Sequence, residues 1–249
     1  MYPTIISFYT ENTPYEQEAK DLAASCERFH LPYEIDPMPH FGSWEKNCCF
    51  KPKYILKKLS DLQRPVLWLD ADAIVYRKPT RFETLETDVA LHSNPNLPEN
   101  HPSKVNSGTL LFYPTPATFT LLENWDRETE RLLQREPEPW DQISLRNILF
   151  ETDVRVHFLD SRYCRIFTKI HDEDELKNSF FIHFQASRTV KKTLNRQVVP
   201  FWDEQDHIRH KKIALIKGIA PSSTAENVED RSGNTRGSRE FKQPLSREE

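Results

Sequence analysis

Glycine is nearly absent from this sequence. Five occur in 249 residues, and three of them, Gly218, Gly233 and Gly237, lie beyond Lys217. Up to that lysine the chain holds only Gly42 and Gly108. A G-x-G-x-x-G turn or a G-x-x-x-x-G-K-[ST] loop needs several Cβ-free positions close together to cradle phosphates. Neither can be written here. Dinucleotide-fingerprint dehydrogenases, P-loop NTPases and protein kinases are excluded on that ground. The glycine-rich entry loop of nucleotidyltransferases is missing as well.

The composition bounds the remaining classes. Hydrophobic residues make up 37% and charged residues 29%, with a mean hydropathy of −0.71. That is polar for a globular chain, but 15 Phe and 5 Trp argue against wholesale disorder. Lys and Arg number 34 against 38 Asp and Glu, a net charge of −4. Such a balance gives no electrostatic reason to bind nucleic acid. Cys26, Cys48, Cys49 and Cys164 form no C-x-x-C pair and read as reduced thiols, so a cytoplasmic protein is expected. The N-terminus lacks the basic and apolar regions of a signal peptide. No apolar run approaches the ~20 residues of a membrane span, so no transmembrane anchor is expected.

Strand and helix signals alternate along the chain. Thr4 to Thr10 is an apolar strand without alternation, as expected where both faces are covered. Tyr15, Ala19, Leu22, Cys26 and Phe29 have helical spacing after Thr13-Pro14. Lys51-Pro52 opens a second helix that Pro65 ends, and Val66 to Leu69 is a second buried strand. Further strands are expected at Val89 to His92, Thr109 to Tyr113, Arg155 to Leu159 and Ser179 to Gln185. Helices are expected from Phe119 to Leu133 and from Trp140 to Phe150. This order predicts an α/β fold with a mainly parallel central sheet flanked by helices, and ligands at the carboxyl ends of its strands. Residues 1–217 read as a single domain, and 218–249 as a disordered tail without periodicity.

Four motifs carry the candidate chemistry. Asp70-Ala71-Asp72 is weak as a pattern, since 15 Asp in 249 residues give roughly one D-x-D by chance. The chain contains its own control, Asp172-Glu173-Asp174, in a charged stretch. Context separates the two, because Asp70 and Asp72 follow a fully apolar strand, where an unpaired carboxylate is costly. On extended chain the two would face one side, suiting a hard divalent cation. The alternative is that Asp70 caps the strand and Asp72 pairs with Arg77 or Lys78. In the strand after Ser179, His183, Gln185 and Ser187 share the face opposite Phe180, Ile182 and Phe184. His183 is either a hydrogen-bonded core residue or the nitrogen of an O,O,N ligand set, which would tilt the metal from Mg²⁺ toward Mn²⁺. Gly108, after Asn106-Ser107, serves a positive φ, a close backbone approach or an ordinary turn. Asp141, in Trp140-Asp141-Gln142, caps a helix or acts in catalysis.

Taken in order, these motifs resemble the metal-dependent nucleotide-diphospho-sugar transferases of the GT-A type, especially the retaining glycosyltransferases with a D-x-D and a late histidine. The resemblance runs over roughly residues 4 to 190. It implies a nucleotide-diphosphate sugar, with a UDP-sugar favoured, whose base and ribose lie near Tyr9 and Thr10. It implies Mn²⁺, or Mg²⁺, on Asp70, Asp72 and His183. Lys51, Asp70, Asn106, Ser107, Gly108 and Gln185 join the donor-binding set, and Asp141 and Gln142 fall near the anomeric centre or the acceptor hydroxyl. Glycogenin-like members follow the histidine with Gly and Lys-Pro-Trp. Here Gln185-Ala186-Ser187-Arg188 stands instead, leaving Arg188, Lys191 and Lys192 as candidates for the phosphate-binding cation. The acceptor is a glycan, lipid or protein, reached in the lipid case by peripheral membrane contact. Two other classes remain open: a metal-dependent phosphoesterase, and a non-catalytic nucleotide-sugar or carbohydrate-binding protein on the same fold.

Overall fold

A computed structural model describes residues 1–135, 140–194, 213, 214 and 216–218. The chain opens with β1 (Thr4–Thr10), α1 (Tyr15–Arg28), β2 (Tyr33–Met38), α2 (Trp44–Cys49), α3 (Lys51–Leu62), β3 (Val66–Leu69) and β4 (Ala73–Val75). It continues through β5 (Val89–Ser93), β6 (Val105–Phe112), α4 (Pro116–Arg135), α5 (Asp141–Leu149) and β7 (Val156–Leu159). The last described elements are β8 (Arg165–Ile166), α6 (Glu173–Lys177), β9 (Phe181–His183) and α7 (Ser187–Leu194).

The main sheet has the order β2-β1-β3-β6-β5-β7. β1 pairs in parallel with β2 and β3, and β5 with β7, while β6 is antiparallel to both its neighbours. Five strands therefore point one way and only β6 is reversed. The result is the mainly parallel α/β sheet anticipated from the strand and helix order. Successive residues of the central strands enter opposite layers. Ile6 and Trp68 join α3, α4 and α5 residues such as Tyr54, Leu59, Leu122 and Leu145 in one cluster. Ile5, Leu67 and Leu69 join Leu22 and Cys26 of α1 in the other. Burial on both faces explains why these strands read as continuous apolar runs.

Several elements escape the sequence pattern, β2, α2 and β4 among them. β2 is the half-buried edge strand Tyr-Glu-Ile-Asp-Pro-Met, and Pro37 is tolerated there because one side of an edge strand needs no ladder donor. α2 has only six residues, started by the Ser43 hydroxyl accepting from the Lys46 N–H. β4 belongs to a separate three-stranded sheet, β4-β9-β8. Two boundaries also move. β6 begins at Val105, so Asn106, Ser107 and Gly108 lie inside a strand rather than in a turn before one. β9 spans only Phe181–His183; Gln185 adopts a left-handed φ of 53° that breaks the extended chain, and Ser187 already opens α7, so the two do not share a strand face with His183. The control D-x-D is a helix start: Asp172 caps α6 by accepting from the Glu175 N–H.

A third apolar cluster closes the fold behind β9. Ile74, Phe167, Leu176, Ile182 and Phe184 meet Ile213 and Ile216 there. Lys217 pairs with Glu18 at 3.3 Å and with Asp21, both on α1. Residues from 219 onward, most of the expected tail, lie outside the described residues. Ile216→Ala is expected to cost about 2–4 kcal/mol in chemical denaturation, the usual range for truncating a buried aliphatic side chain. A chain ending at Gly218 should keep the wild-type melting temperature.

Candidate active site

β3 ends at Leu69 and the chain turns at once. The Asp70 N–H donates to the Gly108 carbonyl at 3.0 Å, and the Ala73 N–H closes the turn on the Asp70 carbonyl at 2.9 Å. Asp70 and Asp72 share one side because of this turn, not because of strand alternation. The turn also carries the chain from the large sheet into the small one, where Ala73 pairs with His183. The Phe184 N–H donates to the Asp72 carbonyl at 2.9 Å, and the Ala186 N–H to Asp72 Oδ2 at 2.6 Å. Ligand atoms of Asp70, Asp72 and His183 consequently lie within 4.8 Å of one another. The proposed pairings of Asp72 are otherwise used: Lys78 pairs with Glu83 at 3.3 Å, and Arg77 donates to the Asn178 carbonyl and lies over Phe180.

Lys51 ties this group to α5. It is the first residue of α3, a poor place for a cation in terms of the helix dipole. Its side chain is only 6% exposed, and Nζ lies 2.9 Å from Asp70 Oδ1 and 2.6 Å from Asp141 Oδ2. It also donates to the Ser107 carbonyl at 3.2 Å. Burial opposes the ammonium, but Asp141 and Asp70 outweigh it and raise the Lys51 pKa. Burial likewise pushes the Asp70 carboxyl up, and Lys51, His183 and the Trp68 indole more than reverse that. Asp70 is therefore held below the usual carboxylate range. Trp140 is the N-cap of α5, so Asp141 is not a cap; it begins the helix and spends its carboxylate on Lys51.

His183 is buried, with Nε2 2.9 Å from Thr109 Oγ1. Burial brings its pKa down to about 4, Asp70 acting against the shift and Lys51 with it. The imidazole is therefore neutral near pH 7 and keeps a lone pair, while Thr109 fixes its rotation. Gly108 is explained by the same ring. A Cβ there would lie 3.0 Å from His183 Cε1 and 3.1 Å from Asn106 Oδ1, so close approach, with no positive φ, is what favours glycine.

Other expected residues sit further out. Gln142 donates to the Pro102 carbonyl at 2.9 Å, on the loop between β5 and β6, and not to the ligand cluster. Lys191 pairs with the buried Glu45 at 2.8 Å and lies over the Trp44 ring, while Arg188 is exposed. Gln185 turns a buried Oε1 that has no hydrogen-bond partner among the described residues. Tyr9 is half-buried and Thr10 buried, at the carboxyl end of β1. Lys192 lies outside the side chains described. Sequence reasoning passed over Tyr15, Trp44, Thr109 and Cys164. Trp44 Nε1 donates to the Tyr15 hydroxyl at 3.1 Å. The Tyr15 phenol is raised by burial and then by Asp72, which puts it near the carboxylates. The only signal for this pair was Ser43 ahead of Trp44, a helix-start residue before a short helix.

Two carboxylates and a neutral imidazole, converging where β3 leaves a parallel sheet, form an oxygen-rich donor set that fits a divalent cation of the Mn²⁺ or Mg²⁺ kind. A ligand at this edge is what an α/β sheet of this type provides. The nucleotide-diphospho-sugar transferase family model matches residues 44–197, more than half the chain, and the protein belongs to that family. It is thus a glycosyltransferase by family, and its α/β fold is the one seen in the solved glycosyltransferases named below. No curated protein matches the chain. Among solved structures, a glycosyltransferase involved in the glycosylation of the major capsid of PBCV-1 superimposes with a TM-score of 0.57. It is 16% identical, over 79% of this chain and 98% of that one. GlyE of Streptococcus pneumoniae TIGR4, also a glycosyltransferase, gives 0.52 at 14% identity, over 88% of this chain and 62% of its own.

Two outcomes follow from this geometry. Gly108→Ala should push the His183 ring aside and weaken any divalent-cation binding by roughly 10-fold, the lower end for a disturbed outer shell, as read by calorimetric titration. His183 also carries a pH signature. Between about pH 6.5, its ordinary value, and about 4, its value in the folded protein, only the unfolded chain takes up the proton. Stability therefore falls as the pH is lowered through that window. His183→Gln should make melting temperature less steep in pH over the same range.

Proposed function

We propose that this glycosyltransferase takes its sugar from a nucleoside-diphosphate donor, with a UDP-sugar favoured, in a reaction that depends on Mn²⁺ or Mg²⁺ and retains anomeric configuration. The observation that carries this reading is the convergence of Asp70, Asp72 and His183 within 4.8 Å beside the Lys51–Asp141 ion pair. When bound, the cation would offset the charge that grows on the departing diphosphate. Asp70 and Asp72 would hold it, with His183 supplying a neutral nitrogen. Lys51 keeps Asp70 ionised and locks Asp141, so we assign Asp141 to orienting a sugar or acceptor hydroxyl rather than to nucleophilic attack. Asn106 and Ser107 are assigned to the sugar hydroxyls. Tyr9 and Thr10 lie at the end of β1, where a base and ribose would fit.

Arg188 and Lys191 remain our candidates for the diphosphate. Gln142 is assigned to holding the β5–β6 loop, because its amide is used on Pro102. The acceptor is a hydroxyl-bearing glycan, lipid or protein. Among the described residues no helix is long and apolar enough to cross a membrane. The four cysteines are free thiols, which suits a reducing compartment such as the cytoplasm.

A melting panel of UDP-, GDP-, CMP- and TDP-linked sugars, each with and without Mn²⁺, tests the reading, since binding to the native state raises its stability. One donor should raise the melting temperature only with the metal present. Asp72→Asn should abolish that shift while the protein stays folded, because a neutral amide cannot offset the cation. Asp174→Asn, in the helix-start D-x-D, should leave it unchanged. Equal losses in both variants, or no shift with any donor, would overturn the proposal.

A further inference from the structure

Asn106 enters the site with its side-chain oxygen already used twice. Oδ1 accepts the Gly108 N–H at 2.7 Å and the Cys164 S–H at 3.0 Å. A backbone N–H and a thiol facing a carbonyl can only donate, and a carbonyl oxygen has two lone pairs. The oxygen end of the amide is thereby full. Its Nδ2 carries two hydrogens and has no hydrogen-bond partner among the described residues.

Cys164 comes from far along the chain. It ends the one-turn 3₁₀ segment Ser161–Cys164, where Asp160 accepts from the Arg162 N–H at 2.8 Å. It is buried behind β6, and burial pushes its thiol up to about 12, so the S–H is present at neutral pH. Thr109, the partner of His183, also hydrogen-bonds the sulfur.

We propose that Cys164 is a positioning residue for the donor sugar: together with the Gly108 N–H it fills Asn106 Oδ1, turning Nδ2 outward and restricting Asn106 to donating. The recognised group is then a sugar oxygen with a free lone pair. Cys164 itself touches no substrate and acts through Asn106. The inference rests on the donor reading above, and it predicts an effect confined to the sugar half of the donor.

The probes are the nucleotide sugar selected by the melting panel and the matching nucleoside diphosphate, each titrated calorimetrically with Mn²⁺. Cys164→Ala should weaken the nucleotide sugar about 3- to 10-fold, the effect of one lost hydrogen bond, and leave the nucleoside diphosphate unchanged. Cys164→Ser, whose hydroxyl can still donate, should bind both as wild type does. Asn106→Ala should cost at least as much as Cys164→Ala, and combining the two should add nothing further. Asn106→Asp keeps the inward oxygen and removes the outward donor, so it should also weaken the nucleotide sugar if Cys164→Ala does not fold. The assignment falls if Cys164→Ala weakens both probes alike, if Cys164→Ser is as poor as Cys164→Ala, or if either Asn106 variant binds the sugar normally. Those failures leave Mn²⁺-dependent nucleoside diphosphate binding by the wild type intact, whereas loss of that binding in wild type would remove the donor reading itself.

Discussion

One buried ammonium organises this protein. Lys51 stands between Asp70, at the end of β3, and Asp141, at the start of α5, with the Ser107 carbonyl of β6 as a third partner. A lysine out of water is stable only when its charge is answered, and here two carboxylates answer it. The reverse also holds, since both carboxylates would be costly in that position without the lysine. Three elements that meet only in the folded chain are thus fixed by one group, and Asp70, a carboxylate of the candidate cation site, is held ionised by it. That mutual dependence explains why a cation tolerates the first turn of a helix, where the dipole disfavours it.

The layers on either side make this arrangement stiff. Ile5, Leu67 and Leu69 go to one face of the sheet and Ile6 and Trp68 to the other, so β1 and β3 are clamped between helices. The acidic turn starts directly from that clamped strand. Trp68 adds a contact of its own, its indole donating to Asp70 Oδ1 at 2.9 Å. Core and site therefore share residues, and the apolar run into Asp-Ala-Asp is their common expression in sequence.

Where sequence reasoning succeeded, the physical signal was strong. Strands covered on both faces leave unbroken apolar runs, which is why β1 and β3 were legible and the carboxylates after β3 stood out. The scarcity of glycine made Gly108 conspicuous, although its reason, the His183 ring, lies 75 residues away and has no local trace. Edge strand β2 mixes Glu, Asp and Pro with apolar residues, so its pattern is that of a loop. α2 is too short for periodicity to speak, and Trp44 with it. The partners of Lys51 and Asn106 are long-range contacts, and nothing in local spacing distinguishes Cys164 from any other buried thiol. Asp141 was placed correctly near the helix start, but only packing shows that its carboxylate serves Lys51 instead of the backbone.

The two-sheet origin of the candidate ligand set has a mechanical side. Asp70 leaves the large sheet, whereas His183 belongs to the small one, joined to Asp72 through the β4–β9 ladder. An ion shared among them would act as a cross-link closing a loop of roughly 110 residues, and the entropy of such closure is drawn from the unfolded chain. Chelation in this protein would therefore loosen one sheet from the other as well as empty a site. Resistance to proteolysis between β4 and β9 would then rise and fall with the free cation concentration, so that an ion bound there would also be a structural tie between the two sheets.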